Sequence, residues 1–158
     1  MNNDDIVFKN DNIKFNYRVA GIFEYNNKYL IQKSEKDDFY SLIGGKVKFG
    51  EKTVSALERE VMEEIGFEIP KDKTRLIRVC ENFFQYSSTR YHEILFIYLI
   101  DIREDDIIEK QKSFRCVDKD TTMMLWKSEQ EIEKLDLRPE NSKDILKNKE
   151  LKHEVIVE

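Results

Sequence analysis

The sequence predicts an α/β protein, a sandwich of helices around a mixed β-sheet. Three observations carry that expectation. Within residues 45–67 a glycine-rich turn runs into a short amphipathic helix. A strongly apolar segment, Glu93–Ile102, is rich in β-branched and aromatic residues and reads as a buried central strand. Shorter strand-like segments lie on both sides of that helix, and further helical spacing follows near the end.

Taken in order, Tyr17–Phe23 is the first strand, and Lys28–Gln32 pairs with it across a turn at Asn26-Asn27. Asp37–Ile43 leads into the adjacent glycines Gly44 and Gly45. After the helix, Pro70 and Asp72 mark a loop, and Arg75–Phe84 alternates as a strand. A polar turn over Gln85–Tyr91 joins it to the central strand as a hairpin. Arg103–Lys112 is a charged loop. Ser113–Trp126 returns towards the sheet, interrupted by Asp118-Lys119-Asp120. Ser128–Leu135 has helical spacing. Pro139–Lys149 forms another helix, with Pro139 early and Ser142 as its cap, and Val155–Val157 is a last edge strand.

The 158 residues suit one domain, residues 1–158, with 1–11 as an N-terminal extension. Hydrophobic residues make up 40% and charged residues 37%, enough for a core beneath a highly charged surface. A net charge of −5 argues against non-specific nucleic-acid binding. It leaves room for a nucleotide ligand, because bound divalent cations invert the local field. Cys80 and Cys116 are too few and too isolated for a disulfide framework or a zinc site. No apolar run approaches a membrane span, and the acidic, polar start is not a signal peptide. A cytoplasmic location is the default expectation.

The helix is where chemistry concentrates. At about 100° per residue, Glu60, Glu63 and Glu64 fall within an arc of roughly 100°. Val54, Leu57, Val61 and Ile65 form a second arc centred roughly 115° away, so an apolar stripe can face a core while an acidic stripe lines a cleft. Ser55 with Glu58 fits a capping box, and Gly66 fits a helix stop. Like charges three and four residues apart repel by roughly 0.2–0.5 kcal/mol per pair. A solvated acidic face is the plain alternative. A cation that neutralises the repulsion is the functional one, and clustered oxygen ligands suit Mg²⁺ or Mn²⁺. Arg59 lies on neither stripe and can reach back to Glu51, pinning the turn to the helix in bidentate geometry.

Gly45, Glu51, Arg59-Glu60, Val61, Glu63-Glu64, Gly66 and Phe67 occupy every fixed place of the pattern G-x5-E-x7-R-E-U-x-E-E-x-G-U, where U is bulky and apolar. The segment Gly45–Phe67 therefore resembles the Nudix box, and the resemblance extends over roughly Asn12–Glu158, including Trp126 ahead of a short acidic helix. One departure is visible: Ile43 stands where many members carry proline, which is expected to alter loop stiffness rather than chemistry. The resemblance implies the Nudix fold and hydrolysis of a nucleoside diphosphate linked to another group, with water attacking phosphorus. It implies Glu60, Glu63, Glu64 and the carbonyl of Gly44 as metal ligands, with Glu60 orienting the water and Arg59 and Glu51 supporting it. In this family the base lies either in the box or on a later loop, where Glu104, Asp105, Asp106, Glu109, Asp118 and Asp120 are available. Relatives are commonly homodimers. A Nudix-like sensor that binds without cleaving is the alternative, though such proteins commonly have eroded boxes.

The substrate is less legible. Arg18 and Tyr40 are candidates for a phosphate or a base. Tyr86 and the Glu81-Asn82-Phe83-Phe84 stretch are candidates for stacking on a nucleobase. Against each stands an ordinary packing role. His92 is a weaker candidate. Glu93 at the mouth of a buried strand is unusual, since Glu is seldom buried unpartnered. The downstream proline of ADP-ribose hydrolases and the marks of NADH- and coenzyme A-cleaving members are missing, and Tyr86 lies only near the tyrosine of dinucleoside-polyphosphate members. The expected partner is a small nucleoside diphosphate derivative.

Overall fold

The computed structural model describes residues 4–103, 113–116 and 121–158, the side chains of 113–115 excepted. Of the acidic residues expected on later loops, Glu104, Asp105, Asp106, Glu109, Asp118 and Asp120 lie outside these.

The strand β2 (Ile13–Tyr25) is the organising element, and it is longer at both ends than expected. Along one edge it runs parallel to β7 (Thr89–Asp101), from the Ile13–Arg90 pair to the Glu24–Asp101 pair. Along the other edge its partner changes. The hairpin strand β1 (Val7–Asn10) takes the start, β5 (Ile43–Lys46) takes Arg18–Gly21, and β3 (Lys28–Ser34) takes only Phe23–Tyr25. The sheet therefore forks between β5 and β3. β4 (Tyr40–Ser41) and β9 (Thr122–Ser128) continue from β3, β8 (Ser113–Arg115) pairs with β9, and β10 (Leu137–Arg138) runs parallel to β4. On the far side β6 (Thr74–Tyr86) joins β7, and β11 (Lys152–Val157) closes that edge in parallel with β6. The result is a mixed sheet with helices on both faces.

Alternation along β2 builds two cores. Val19 and Phe23 face one way and pack with Ala56, Leu57 and Val61 of the long helix α1 (Thr53–Ile65). Ala20 and Ile22 face the other way and pack with Ile132 of α2 (Glu129–Glu133) and with Ile145 and Leu146 of α3 (Ser142–Lys147). Of the three two-residue hairpins among the described residues, those at Asn26-Asn27 and Ser87-Ser88 use left-handed backbone at both positions, and the β1–β2 turn uses it at Asp11. The expected polar turn over Gln85–Tyr91 contracts to those two serines, because Gln85 and Tyr86 stay in register with Arg90 and Thr89. Gly66 ends α1 in the left-handed conformation, as expected.

Several details differ from expectation. The capping box at Ser55 and Glu58 is not used. α1 starts at Thr53 behind Lys52, with no side-chain cap. Glu51 fixes the preceding turn instead, accepting the Lys48 N–H at 3.0 Å. A capping box does form on α2, where Ser128 and Glu131 exchange bonds of 3.2 Å. Ser142 is the first residue of α3 rather than its cap, and Pro139 sits in the turn before it. Ile43 is no loop residue: it is fully buried in β5 opposite Gly21. Residues 7–10, expected to belong to an extension, form β1.

The glycine strand fits β2 without room to spare. A Cβ on Gly44 would lie 2.0 Å from the Val19 carbonyl oxygen and 2.7 Å from the Ala20 Cα. The nearest atoms to a Cβ on Gly45 would be those of the Glu60 carboxylate, at 2.2 Å. Gly44→Ala must therefore move backbone, and in urea unfolding it is expected to lower stability by about 1–3 kcal/mol or more. Gly45→Ala should cost clearly less, because a flexible side chain can yield.

Candidate active site

Arg59 is the hub of the acidic helix. Its Nε donates to Glu51 Oε1 at 2.7 Å and one Nη donates to Glu51 Oε2 at 3.1 Å, the bidentate fork that suits a guanidinium. The same Nη donates to the Lys46 carbonyl at 3.0 Å, tying the helix to β5. The other Nη reaches Glu60 at 2.9 Å and Glu63 at 3.5 Å. Arg59 thus spreads one positive charge over three carboxylates whose spacing would otherwise be repulsive. The Arg59 bond holds the Glu51 carboxyl below its ordinary range. In return Glu51, then Glu60, raise the guanidinium above its ordinary value against the opposing effect of burial.

A cleft of about 600 Å³ opens at the fork of the sheet. Glu60 and Glu64 line it together with the backbone of Gly44 and Gly45. Glu64 is only 4% exposed. Lys14, Arg18, Lys36 and Lys46 line the same cleft. Burial lowers the Lys14 ammonium below its ordinary value, and repulsion from Lys46, Lys9 and Arg18 lowers it further. Such crowding of like charge favours an anion in the cleft.

Glu63 stands apart from this cleft, half-exposed beside Arg59. Among the described residues no three His, Cys, Asp or Glu side chains are gathered tightly enough to hold a metal by themselves. The available donors are two carboxylates and backbone carbonyl oxygen, all hard. That set fits Mg²⁺ or Mn²⁺, which use one or two carboxylates and complete their shell with water and phosphate oxygens.

The family model for the NUDIX domain matches residues 16–148. The chain belongs to the Nudix family. Its members are hydrolases, generally metal-dependent ones acting on small nucleoside diphosphate derivatives. Solved Nudix structures share the fold. The MutT protein of Bacillus halodurans superposes with a TM-score of 0.69 at 16% identity, over 90% of this chain and 89% of that one. A MutT Nudix hydrolase from Burkholderia pseudomallei gives 0.65 at 18% identity, over 85% and 97%. A Nudix hydrolase from Nitrosomonas europaea gives 0.62 at 18% identity, over 90% and 79%. No curated protein sequence matches the chain. Among the described residues no helix is long and apolar enough to cross a membrane, and both cysteines are free and buried.

The remaining candidates separate. Arg18 lines the cleft and makes a 3.5 Å ion pair with the buried Glu93. Tyr86 is exposed, donates to Asp37 at 2.7 Å and borders an adjoining cavity. Tyr40 packs against the core beside α3. His92 turns to the opposite face, between Phe15 and Phe83. Sequence reasoning passed over Lys14, Lys36 and Lys46. Their strand and loop positions read as ordinary solvated charge, and only the fold brings them to the same cleft as the acids.

The Glu51 carboxyl is depressed on folding, so its contribution to stability is present above the ordinary Glu range and is lost as pH falls through the lower folded value. Glu51→Gln has no such group. In urea titrations from pH 7 down to pH 2.5, wild type should exceed the variant at neutral pH, and the gap should close in the acid limb. A constant gap would contradict this account.

Proposed function

We propose that the chain is a divalent-metal-dependent pyrophosphohydrolase that cleaves a nucleoside diphosphate linked to another group. The observation that carries the proposal is one cleft lined by both Glu60 and Glu64 and by four basic residues, Lys14, Arg18, Lys36 and Lys46. The basic residues would hold the phosphates by charge, and the two glutamates with the Gly44 carbonyl would hold Mg²⁺ or Mn²⁺. A bound cation supplies neutralisation of phosphate charge and acidification of the attacking water. Phosphoryl transfer asks chiefly for such positioning and charge stabilisation.

The chain's own residues have distinct tasks in this reading. Glu60 orients the water, and Arg59 fixes its carboxylate by the 2.9 Å bond. Glu51 keeps Arg59 in place. Gly45 lets the carboxylate approach the backbone, where any side chain would push it away. Glu63, on the rim, adds negative charge next to the ligands without lining the cleft.

Monophosphate release is the direct test, using dinucleoside polyphosphates, nucleotide sugars, NADH and nucleoside triphosphates with Mg²⁺, with Mn²⁺ and with chelator. Turnover of one or two compounds that chelator abolishes is expected. Glu64→Gln should lose at least a hundredfold in kcat, while its metal-free melting temperature matches or slightly exceeds wild type because a repulsion is relieved. Full activity in that variant would remove Glu64 from the site. Binding across the panel without cleavage would turn the reading to a sensor.

A further inference from the structure

On the sheet face opposite α1, the strand register lays three polar side chains in one row. Asn16 of β2 pairs with Glu93 of β7, and Glu93 pairs with Asn82 of β6. They are 5%, 3% and 1% exposed, respectively. The row on one side is Lys14, Tyr91 and Phe84, with the two rings stacked at 4.8 Å. The row on the other side is Arg18, Leu95 and Cys80. The polar row walls a cavity of about 270 Å³ that shares Asn16, Arg18, Asp37, Ser41 and Tyr91 with the acidic cleft. Phe39, Phe84 and Tyr86 supply its aromatic walls.

Buried polar groups are normally satisfied. Here satisfaction stops short. Asn82 Nδ2 donates to Glu93 Oε1 at 3.2 Å, and Arg18 approaches Glu93 Oε2 at 3.5 Å. Asn82 Oδ1 and Asn16 Oδ1 are buried with no hydrogen-bond partner among the described residues. Rotating the Asn82 amide would set its oxygen against a carboxylate oxygen, two acceptors in contact. Glu93 therefore fixes Asn82 with its oxygen as a buried, unpaired acceptor in a residue that lines the cavity. A wall of two amide oxygens beside a carboxylate calls for N–H donors on the ligand.

We propose that this cavity selects nucleobases bearing an exocyclic amino group, with Asn82 as the specificity-determining residue and Glu93 as its positioning residue. The inference rests on the reading that the acidic cleft takes the phosphates. An amino group offers two N–H bonds to the row. A lactam edge offers one N–H beside one carbonyl oxygen in hypoxanthine or two in uracil, and these oxygens would face the acceptors and leave buried groups unpaired.

Nucleoside 5′-monophosphates test this without turnover, since they contain no phosphoanhydride. Calorimetric affinities would compare CMP with UMP, AMP with IMP, and GMP with IMP, which lacks the 2-amino group. In at least one pair the amino-bearing member should bind roughly 10–100-fold more tightly. Glu93→Gln lets Asn82 turn either way, and the preference should fall to about threefold or less. Asn82→Leu, similar in shape, should have the same effect, with circular dichroism reporting the fold of both variants. Equal affinities in wild type would mean that ordered water satisfies the row, and would overturn the inference. So would undetectable binding of all five compounds, or a preference that survives in both folded variants. Absence of metal-dependent hydrolysis would instead count against the hydrolase reading alone, because the binding preference is measured with no reaction.

Discussion

No atom can be added to Gly44 without entering the space of the Val19 carbonyl, and the acidic cleft follows from that exclusion. Because β5 lies hard against β2, Gly45 comes directly beneath the Glu60 carboxylate and the Lys46 carbonyl comes within reach of Arg59. The helix is thereby located by backbone as well as by its apolar stripe. Leu57 and Val61 set its depth in the core, and Arg59 sets its position against the strand. A helix held only by apolar packing tolerates small sliding; one also hydrogen-bonded to a strand carbonyl does not.

The electrostatic design keeps opposite charges close without letting them cancel. Arg59 engages Glu51, Glu60 and Glu63 from the side of the helix, while the lysines of β2 and β5 line the same cleft as Glu60 and Glu64. A substrate with several negative charges, entering with a cation, would complement both sets of charges at once. On the far edge of the sheet, Arg78 plays a purely architectural part. It is 1% exposed, pairs with Glu154 at 3.1 Å and donates to the carbonyls of Ile77, Asn148 and Glu150, so it fastens β11 and the end of α3 to β6.

What could be read from the sequence was what is local. The box helix, its glycine stop, the Asn26-Asn27 hairpin and the Arg59–Glu51 reach all depend on residues close in the chain. The cap at Ser55 failed because Glu51 had already shaped the turn that launches the helix. The start of α3 failed because Leu137 and Arg138 first pair with β4, which postpones the helix beyond Pro139. β1 was missed because it gains its ladder only from the opening residues of β2. Glu93 stood out as an oddly placed acid, yet its neighbours could not be named. Asn16 and Asn82 become its flanks only through the parallel register of β2 with β7 and the antiparallel register of β6 with β7.

That parallel register also bears on how the molecule is made. A hairpin can join β6 to β7, but β2 and β7 are parallel and can meet only after a long intervening stretch of chain has been closed into a loop. Pairings of such high contact order are intrinsically slow to form. The row of Asn16, Glu93 and Asn82 straddles this junction, so it has no existence in a half-folded chain. A ligand seated on it would act as a clamp across that junction, and would draw the chain towards its finished state by mass action.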